Sequence, residues 1–102
     1  MEQVKIIGLE ADSLKIELSG DIDLGNAEAF YQEVLSAYVG TPADLLFDCE
    51  QLNFIDSTTL GTFVKILKSV KANGRVMRLT NLQAKIKKLF VICSLDKIIA
   101  LD

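Results

Sequence analysis

Three consecutive apolar residues, Leu45-Leu46-Phe47, set between Asp44 and Asp48, constrain the fold more than any other stretch of this chain. An unbroken apolar centre in a short strand leaves neither face for water. Strands buried on both faces belong to parallel sheets covered by helices. A helix able to cover such a sheet follows in the sequence. Leu60, Phe63, Val64, Leu67 and Val70 recur at i, i+3, i+4, i+7 and i+10, the spacing of one helical face. Lys65, Lys68 and Lys71 keep largely to the solvent side, with long stems that tolerate partial burial, and Asn73-Gly74 supplies the stop.

The flanking segments extend this unit. Val4-Lys5-Ile6-Ile7 reads as a strand, and Leu14 to Ser19 alternates apolar and polar residues at the strand period of two. The short polar Glu10-Ala11-Asp12 joins them as an antiparallel hairpin. Gly20 is expected to end the second strand, leaving Asp21-Ile22-Asp23-Leu24-Gly25 as a loop. Asn26 is a candidate N-cap for a helix carrying Ala27, Phe30, Val34 and Tyr38 on one face, which stops before Gly40-Thr41-Pro42. Residues Cys49 to Phe54 read as a loop between the Leu45 strand and the long helix. Arg75 to Leu79 reads as a further strand. Asn81 is expected to cap a third helix with Leu82, Ile86, Leu89 and Phe90 as its apolar stripe and Lys85, Lys87 and Lys88 opposite. Ile98 to Leu101 closes as a short strand or coil. The order β-β-α-β-α-β-α predicts an α/β fold, a mixed sheet that is parallel beyond its opening hairpin, with helices packed on it and right-handed crossovers. A chain of 102 residues, 50% hydrophobic, fills one core and not two, so residues 1–102 form a single domain.

Composition removes several kinds of chemistry. The chain has no histidine, which excludes Ser-His-Asp and Cys-His catalysis and the commonest zinc ligand sets. Cys49 and Cys93 fit no metal spacing and read as reduced, small core residues, so neither metal nor cofactor is expected. No apolar run approaches the ~20 residues of a membrane span. The opening Met1-Glu2-Gln3-Val4-Lys5 lacks the basic and apolar regions of a secretory signal, so a cytoplasmic protein without membrane insertion is expected. A net charge of -3 removes the usual electrostatic case for direct nucleic-acid binding, and Lys85-Ile86-Lys87-Lys88 reads as a solvated helix face. The charges are nevertheless uneven. Residues 1–56 carry 12 acidic side chains against Lys5 and Lys15, whereas residues 57–102 carry nine basic ones against Asp96 and Asp102. The simpler expectation is that folding interleaves the two halves; the other is an acidic face suited to a basic partner.

Sites in α/β sheets gather at the carboxyl ends of strands, where loops enter helices. Two such loops here are dense in polar residues, Ser19 to Asp23 and Asn53 to Thr59, and their strands are expected to be neighbours. Asp56 or Ser57 would cap the long helix. A cap needs one residue, yet Asp56 to Thr59 are four consecutive polar side chains between Ile55 and Leu60. The pattern alone leaves a purely structural role and a binding role both open. A serine hydrolase built on Ser57 has no histidine as base, no glycine-flanked serine elbow, and no support from the spacing of Lys65 or Lys68. Nucleotide binding lacks a glycine-rich phosphate loop with its lysine. The chain therefore reads as a binding module and not as an enzyme.

The stretch from Leu46-Phe47-Asp48 through Asp56-Ser57-Thr58-Thr59-Leu60-Gly61 carries the most specific resemblance. With it go Gly20-Asp21-Ile22-Asp23, Asn73-Gly74, and Leu89-Phe90 followed by Ser94-Leu95. These residues, and the element order over essentially the full chain, resemble the STAS domain family of bacterial anti-sigma factor antagonists. The resemblance implies a cytoplasmic regulator, monomeric or weakly dimeric, with two partners: an anti-sigma factor that is also a serine kinase, and a serine phosphatase that resets the switch. Unphosphorylated, such a protein binds the kinase and frees a sigma factor; phosphorylated, it lets go. Carried over residue by residue, the resemblance makes Ser57 the phosphoacceptor, with Thr58 as second choice. Asp21, Asp23, Asp56, Thr58, Thr59 and Gly61 would contribute to the docking surface. The family often has glycine where this chain has Thr59, and a branched side chain there is expected to narrow partner choice. The other reading is a STAS-type interaction subunit of a lipid-transport complex or a stress-signalling scaffold. In that case Ser57-Thr58 would serve only as cap and contact surface.

Overall fold

In the computed structural model, which describes residues 1–40 and 43–102, the strands follow one another across a single sheet in the order they follow along the chain. The elements are β1 (Val4–Glu10), β2 (Ser13–Ile22), α1 (Ala27–Val39), β3 (Asp44–Ile55), α2 (Ser57–Ala72), β4 (Met77–Thr80), α3 (Ala84–Ile92), a 3-10 turn (Leu95–Lys97) and β5 (Ala100–Leu101). β1 and β2 pair antiparallel, and β2, β3, β4 and β5 pair parallel. This is the mixed α/β sheet with the β-β-α-β-α-β-α order expected from the sequence.

One face of the sheet is covered by helices. Along β2 the side chains Leu14, Ile16 and Leu18 are buried, while Lys15, Glu17 and Ser19 between them are half-buried. Phe47 of β3 lies among one aromatic ring from each of two helices, with ring centroids 6.0 Å from Phe30 of α1 and 5.5 Å from Phe63 of α2. Phe63 in turn meets Phe30 at 5.2 Å and Phe90 of α3 at 5.5 Å. All four contacts are edge-to-face, an arrangement that adds about 0.5–1.5 kcal/mol per pair beyond the area it buries. The four residues expected on the inner face of α1, Ala27, Phe30, Val34 and Tyr38, are all buried.

The Leu45-Leu46-Phe47 run is not buried on both faces. Leu45 and Phe47 are buried, but Leu46 points to the side without helices and is half-buried there, beside Lys15 and Arg78 in the register. Long stems of such neighbours shield an apolar residue from water without a covering helix.

β1 runs on past Ile7 to Glu10, into the expected hairpin connection, and two further strands outrun their expected ends. Gly20 does not stop β2: it takes a positive φ of +67° next to a register shift against β3. A glycine bulge kinks a strand without terminating it. β3 continues through Cys49 to Phe54, where a loop was expected, and only then turns into α2. β4 starts at Met77, two residues later than expected. Asn81 does not cap α3. It sits at φ 60° and its side-chain amide donates to Asp48 Oδ1 at 3.1 Å, while Gln83 takes the N-cap position. The α3 stripe is correspondingly narrower: Ile86 and Phe90 are buried, Leu82 is half-buried and Leu89 is exposed. In α2, Ile66, Thr59 and Thr62 join the buried side and Val64 is half-buried, whereas Lys65, Lys68 and Lys71 are exposed as expected. α1 ends at Val39, before Gly40 as expected; Thr41 and Pro42 lie outside the described residues. Cys49 is buried, but Cys93, the C-cap residue of α3, is exposed.

The charge halves are not interleaved. Since sheet order repeats chain order, the acidic first half forms β1, β2, β3 and α1, and the basic second half forms α2, β4, α3 and β5. They meet where Lys65 of α2 approaches Glu28 of α1 at 3.9 Å and lies 4.2 Å from the Tyr31 ring centroid.

Candidate functional site

β2 and β3 end side by side, with Asp21 opposite Phe54 and Ile22 opposite Ile55. Only Asp56 separates Ile55 from α2, so the chain turns from strand to helix on one extended residue (φ -116°, ψ -176°). That geometry suits an N-cap, whose side chain folds back onto the orphan N–H groups of the first turn. Asp56 Oδ1 accepts from Thr59 N at 2.9 Å, and Oδ2 accepts from Leu24 N at 2.8 Å. One carboxylate thus caps α2 and pins the loop that follows β2. The Thr59 N–H bond, first, and then the Leu24 N–H and the Thr59 hydroxyl hold the Asp56 carboxyl below its ordinary value against the opposing effect of burial. It is therefore ionised at neutral pH.

Thr59 makes the second tie. Its hydroxyl donates to the Ile22 carbonyl at 2.6 Å and lies 3.0 Å from Asp56 Oδ1. With a single proton to give, the shorter contact takes the larger share. Thr59 is wholly buried, 0% exposed, and does not reach the surface where a branched side chain was expected to meet a partner. Its hydroxyl is spent inside the protein.

The loop after β2 is closed by its own polar groups. Asn26 Nδ2 donates to the Asp21 carbonyl at 3.0 Å, and its Oδ1 accepts from Asp23 N at 2.8 Å. Asn26 therefore stands at the N-cap of α1 without a side-chain cap bond. Asp23 Oδ1 accepts from Gly25 N at 2.9 Å, which turns this carboxylate back onto its own loop.

Around this frame the structure brings Ser57, Thr58, Asp21, Asp23, Asp56 and Gly61 to one end of the sheet. Ser57 is the first residue of α2. Ser57, Thr58, Asp21 and Gly61 are exposed, and Asp23 and Asp56 are half-buried. The Thr58 carbonyl accepts from Thr62 Oγ1 at 3.1 Å, a bond internal to the helix. A Cβ placed on Gly61 would meet nothing within 4 Å, so glycine there leaves the surface open one turn beyond Ser57. Two apolar residues at the same end escaped sequence reasoning. Leu24 is 77% exposed and Phe54 is 49% exposed; the signal was an apolar side chain inside each of two otherwise polar loops. Phe54 continues into a shallow groove with Asn53, Ile55, Lys85, Ile86 and Leu89. Among the described residues, no group of three or more His, Cys, Asp or Glu side chains could hold a metal ion, and no helix is long and apolar enough to cross a membrane.

The sequence model of the STAS domain matches residues 4–102. The anti-sigma-B factor antagonist of Bacillus subtilis is 33% identical over 88 residues, which span 86% of this chain and 80% of the relative. The chain belongs to the STAS domain family of anti-sigma factor antagonists. Solved STAS structures share its fold. TM1081 of Thermotoga maritima superposes with a TM-score of 0.83 at 24% identity, covering 96% of this chain and 82% of that one. The phosphorylated form of SpoIIAA, a Bacillus cell fate determinant, superposes with a TM-score of 0.74 at 20% identity, covering 97% and 90%.

Proposed function

We propose that this STAS domain is a phosphorylation-switched antagonist, which binds an anti-sigma factor serine kinase when Ser57 is free and releases it when Ser57 carries phosphate. The observation that carries this reading is the division of labour at the mouth of α2. Asp56 performs the capping, so the Ser57 hydroxyl beside it stays exposed and uncommitted. Thr58, exposed on the next position, is the second-choice acceptor. The existence of a phosphorylated form of SpoIIAA supports the same chemistry on this fold. The protein acts by binding, and the bond-making step belongs to its partners: the kinase and a serine phosphatase that restores the free hydroxyl.

Phosphorylation adds about -1.5 to -2 charge. The N–H groups of the first turn and the positive end of the helix dipole accommodate that charge locally. Asp56, already ionised, and Asp23 oppose it from either side. The fold is retained, and a partner packed flat over Leu24, Ser57 and Gly61 meets a bulky dianion. A like-charge clash of this kind costs several kcal/mol, and about 1.4 kcal/mol is tenfold in affinity, so a switch needs no refolding.

The test uses the purified protein with the anti-sigma factor kinase of its own organism. With ATP, phosphate is expected on Ser57 by peptide mass spectrometry, and Ser57→Ala is expected to keep binding while Ser57→Asp loses it. Equal binding by the two variants, with no phosphate on Ser57 or Thr58, overturns the switch and leaves a plain interaction subunit.

A further inference from the structure

The outer edge of β1 is open, since among the described residues β1 pairs only with β2. It presents three large apolar side chains: Ile6 at 38%, Ile7 at 40% and Leu9 at 50% exposure. The β1–β2 register shifts between Ile6 and Gly8, and Gly8 has φ +127°, so Ile7 is the extra residue of a bulge. The bulge matters because residues three apart on a regular strand point to opposite faces. Here Val4, Ile6 and Leu9 stand opposite Leu18, Ile16 and Leu14 on the helix-covered face. Lys5, Gly8 and Glu10 stand opposite Glu17, Lys15 and Ser13 on the other.

We infer that β1 is the self-association edge of this protein and that its occupant is β1 of a second copy, paired antiparallel about a two-fold axis between Ile7 and Gly8. In that register Ile6 meets Leu9 of the second copy and Lys5 meets its Glu10, each pair formed twice. Both members of the apolar pair lie on the helix-covered face, and both members of the ion pair lie on the open face. A slip of one residue in either direction sets Ile6 against Gly8 or Glu10, which point to the opposite face, so both of those slips fail. A slip that sets Val4 against Leu9 keeps the faces but gives up the Lys5–Glu10 pair. The contact is isologous and closes as a dimer, joining two sheets into one without leaving a further β1 edge. The opposite edge, β5, has two residues and offers no comparable template. The surface around Ser57 stays clear, because it lies at the ends of β2 and β3 and not along β1.

Sedimentation velocity from micromolar to millimolar concentration is expected to show a monomer–dimer equilibrium and no larger species. Glu10→Lys, a position opposite uncharged Ser13 within the chain, is expected to weaken the dimer about tenfold by setting like charges across both ion-pair positions. Its thermal unfolding should match the parent. The register is read by oxidative crosslinking in a Cys93→Ser background. A mixture of Ile6→Cys and Leu9→Cys proteins should form the mixed disulfide, whereas either alone should not. A protein that stays monomeric throughout, a Glu10→Lys variant that dimerises as tightly as its parent, or crosslinks within single variants overturns the inference.

Discussion

The Thr59 hydroxyl and the Ile22 carbonyl lie 2.6 Å apart, joining the first turn of α2 to the last residue of β2 across 37 positions of sequence. Removing the donor while keeping the shape leaves a buried carbonyl unpaired, which costs about 1–3 kcal/mol. Thr59→Val is therefore expected to lower the unfolding free energy by that amount in urea denaturation, and Thr59→Ser to retain most of it. Stability unchanged in Thr59→Val would mean that water or a shifted backbone satisfies Ile22 in its place.

Asp56 gives the site a pH dependence with a definite sign. Its carboxyl is held below the ordinary value of 3.8, chiefly by the Thr59 N–H bond to its charged form. A depressed folded-state pKa contributes stability that is complete above the unfolded value and is lost as the pH falls through the folded one. The parent is expected to lose stability between pH 3.8 and lower values more steeply than Asp56→Asn, which can still cap the helix but has no proton to gain. Parallel pH profiles in acid unfolding titrations would show that the bonds from Thr59 and Leu24 do not discriminate the charged form.

How much of this was legible from sequence follows from where the information sits. The capped mouth of α2 was readable, because polar residues between Ile55 and Leu60 have local causes. So was the inner face of α1, where Phe30, Val34 and Tyr38 repeat at the helical period. The ends of β2 and β3 were not. Gly20 looks the same whether it breaks a strand or kinks one, and only the neighbouring strand decides. The exposed side of Leu46 depends on whether helices cover one face of the sheet or two, which is a property of three-dimensional packing. Thr59 was misplaced for a similar reason: its partner, Ile22, is remote in sequence, so a buried strut resembled a surface side chain. Asn81 has the right residue type for a cap, but Asp48 of the neighbouring strand captures its amide.

The two thiols should differ sharply in reactivity. Burial, and secondarily the Asp48 charge, push Cys49 up to about 12, while Cys93 is exposed at the end of α3. The thiolate is the reactive form, so a thiol-specific disulfide reagent is expected to modify one equivalent in the native protein and a second only on unfolding. Cys93→Ser should abolish the native equivalent. Modification of Cys49 at the same rate as Cys93 would show that the strand pair β2–β3 opens locally, with direct consequences for the loop that carries Asp21 and Asp23.

Phe63 is the residue through which α2 is seated. It touches Phe30, Phe47 and Phe90, one ring from each other helix and one from β3, whereas among the described residues Phe90 has a ring contact with Phe63 alone. Phe63→Ala therefore opens a cavity bordered by all three helices and the sheet, where no single element can relax inward to fill it, and is expected to cost about 3–5 kcal/mol. Phe63→Leu keeps most of the volume and should cost markedly less. Because α2 presents Ser57 at its mouth, the loosened variant should also show faster amide exchange at Thr59 and Leu24, whose N–H groups share the Asp56 carboxylate. Denaturant titration gives the first quantity and hydrogen exchange the second. A Phe63→Ala protein as stable as the parent, or one whose two amides stay protected while the core softens, would mean that the helix mouth is held by the Asp56 and Thr59 bonds alone.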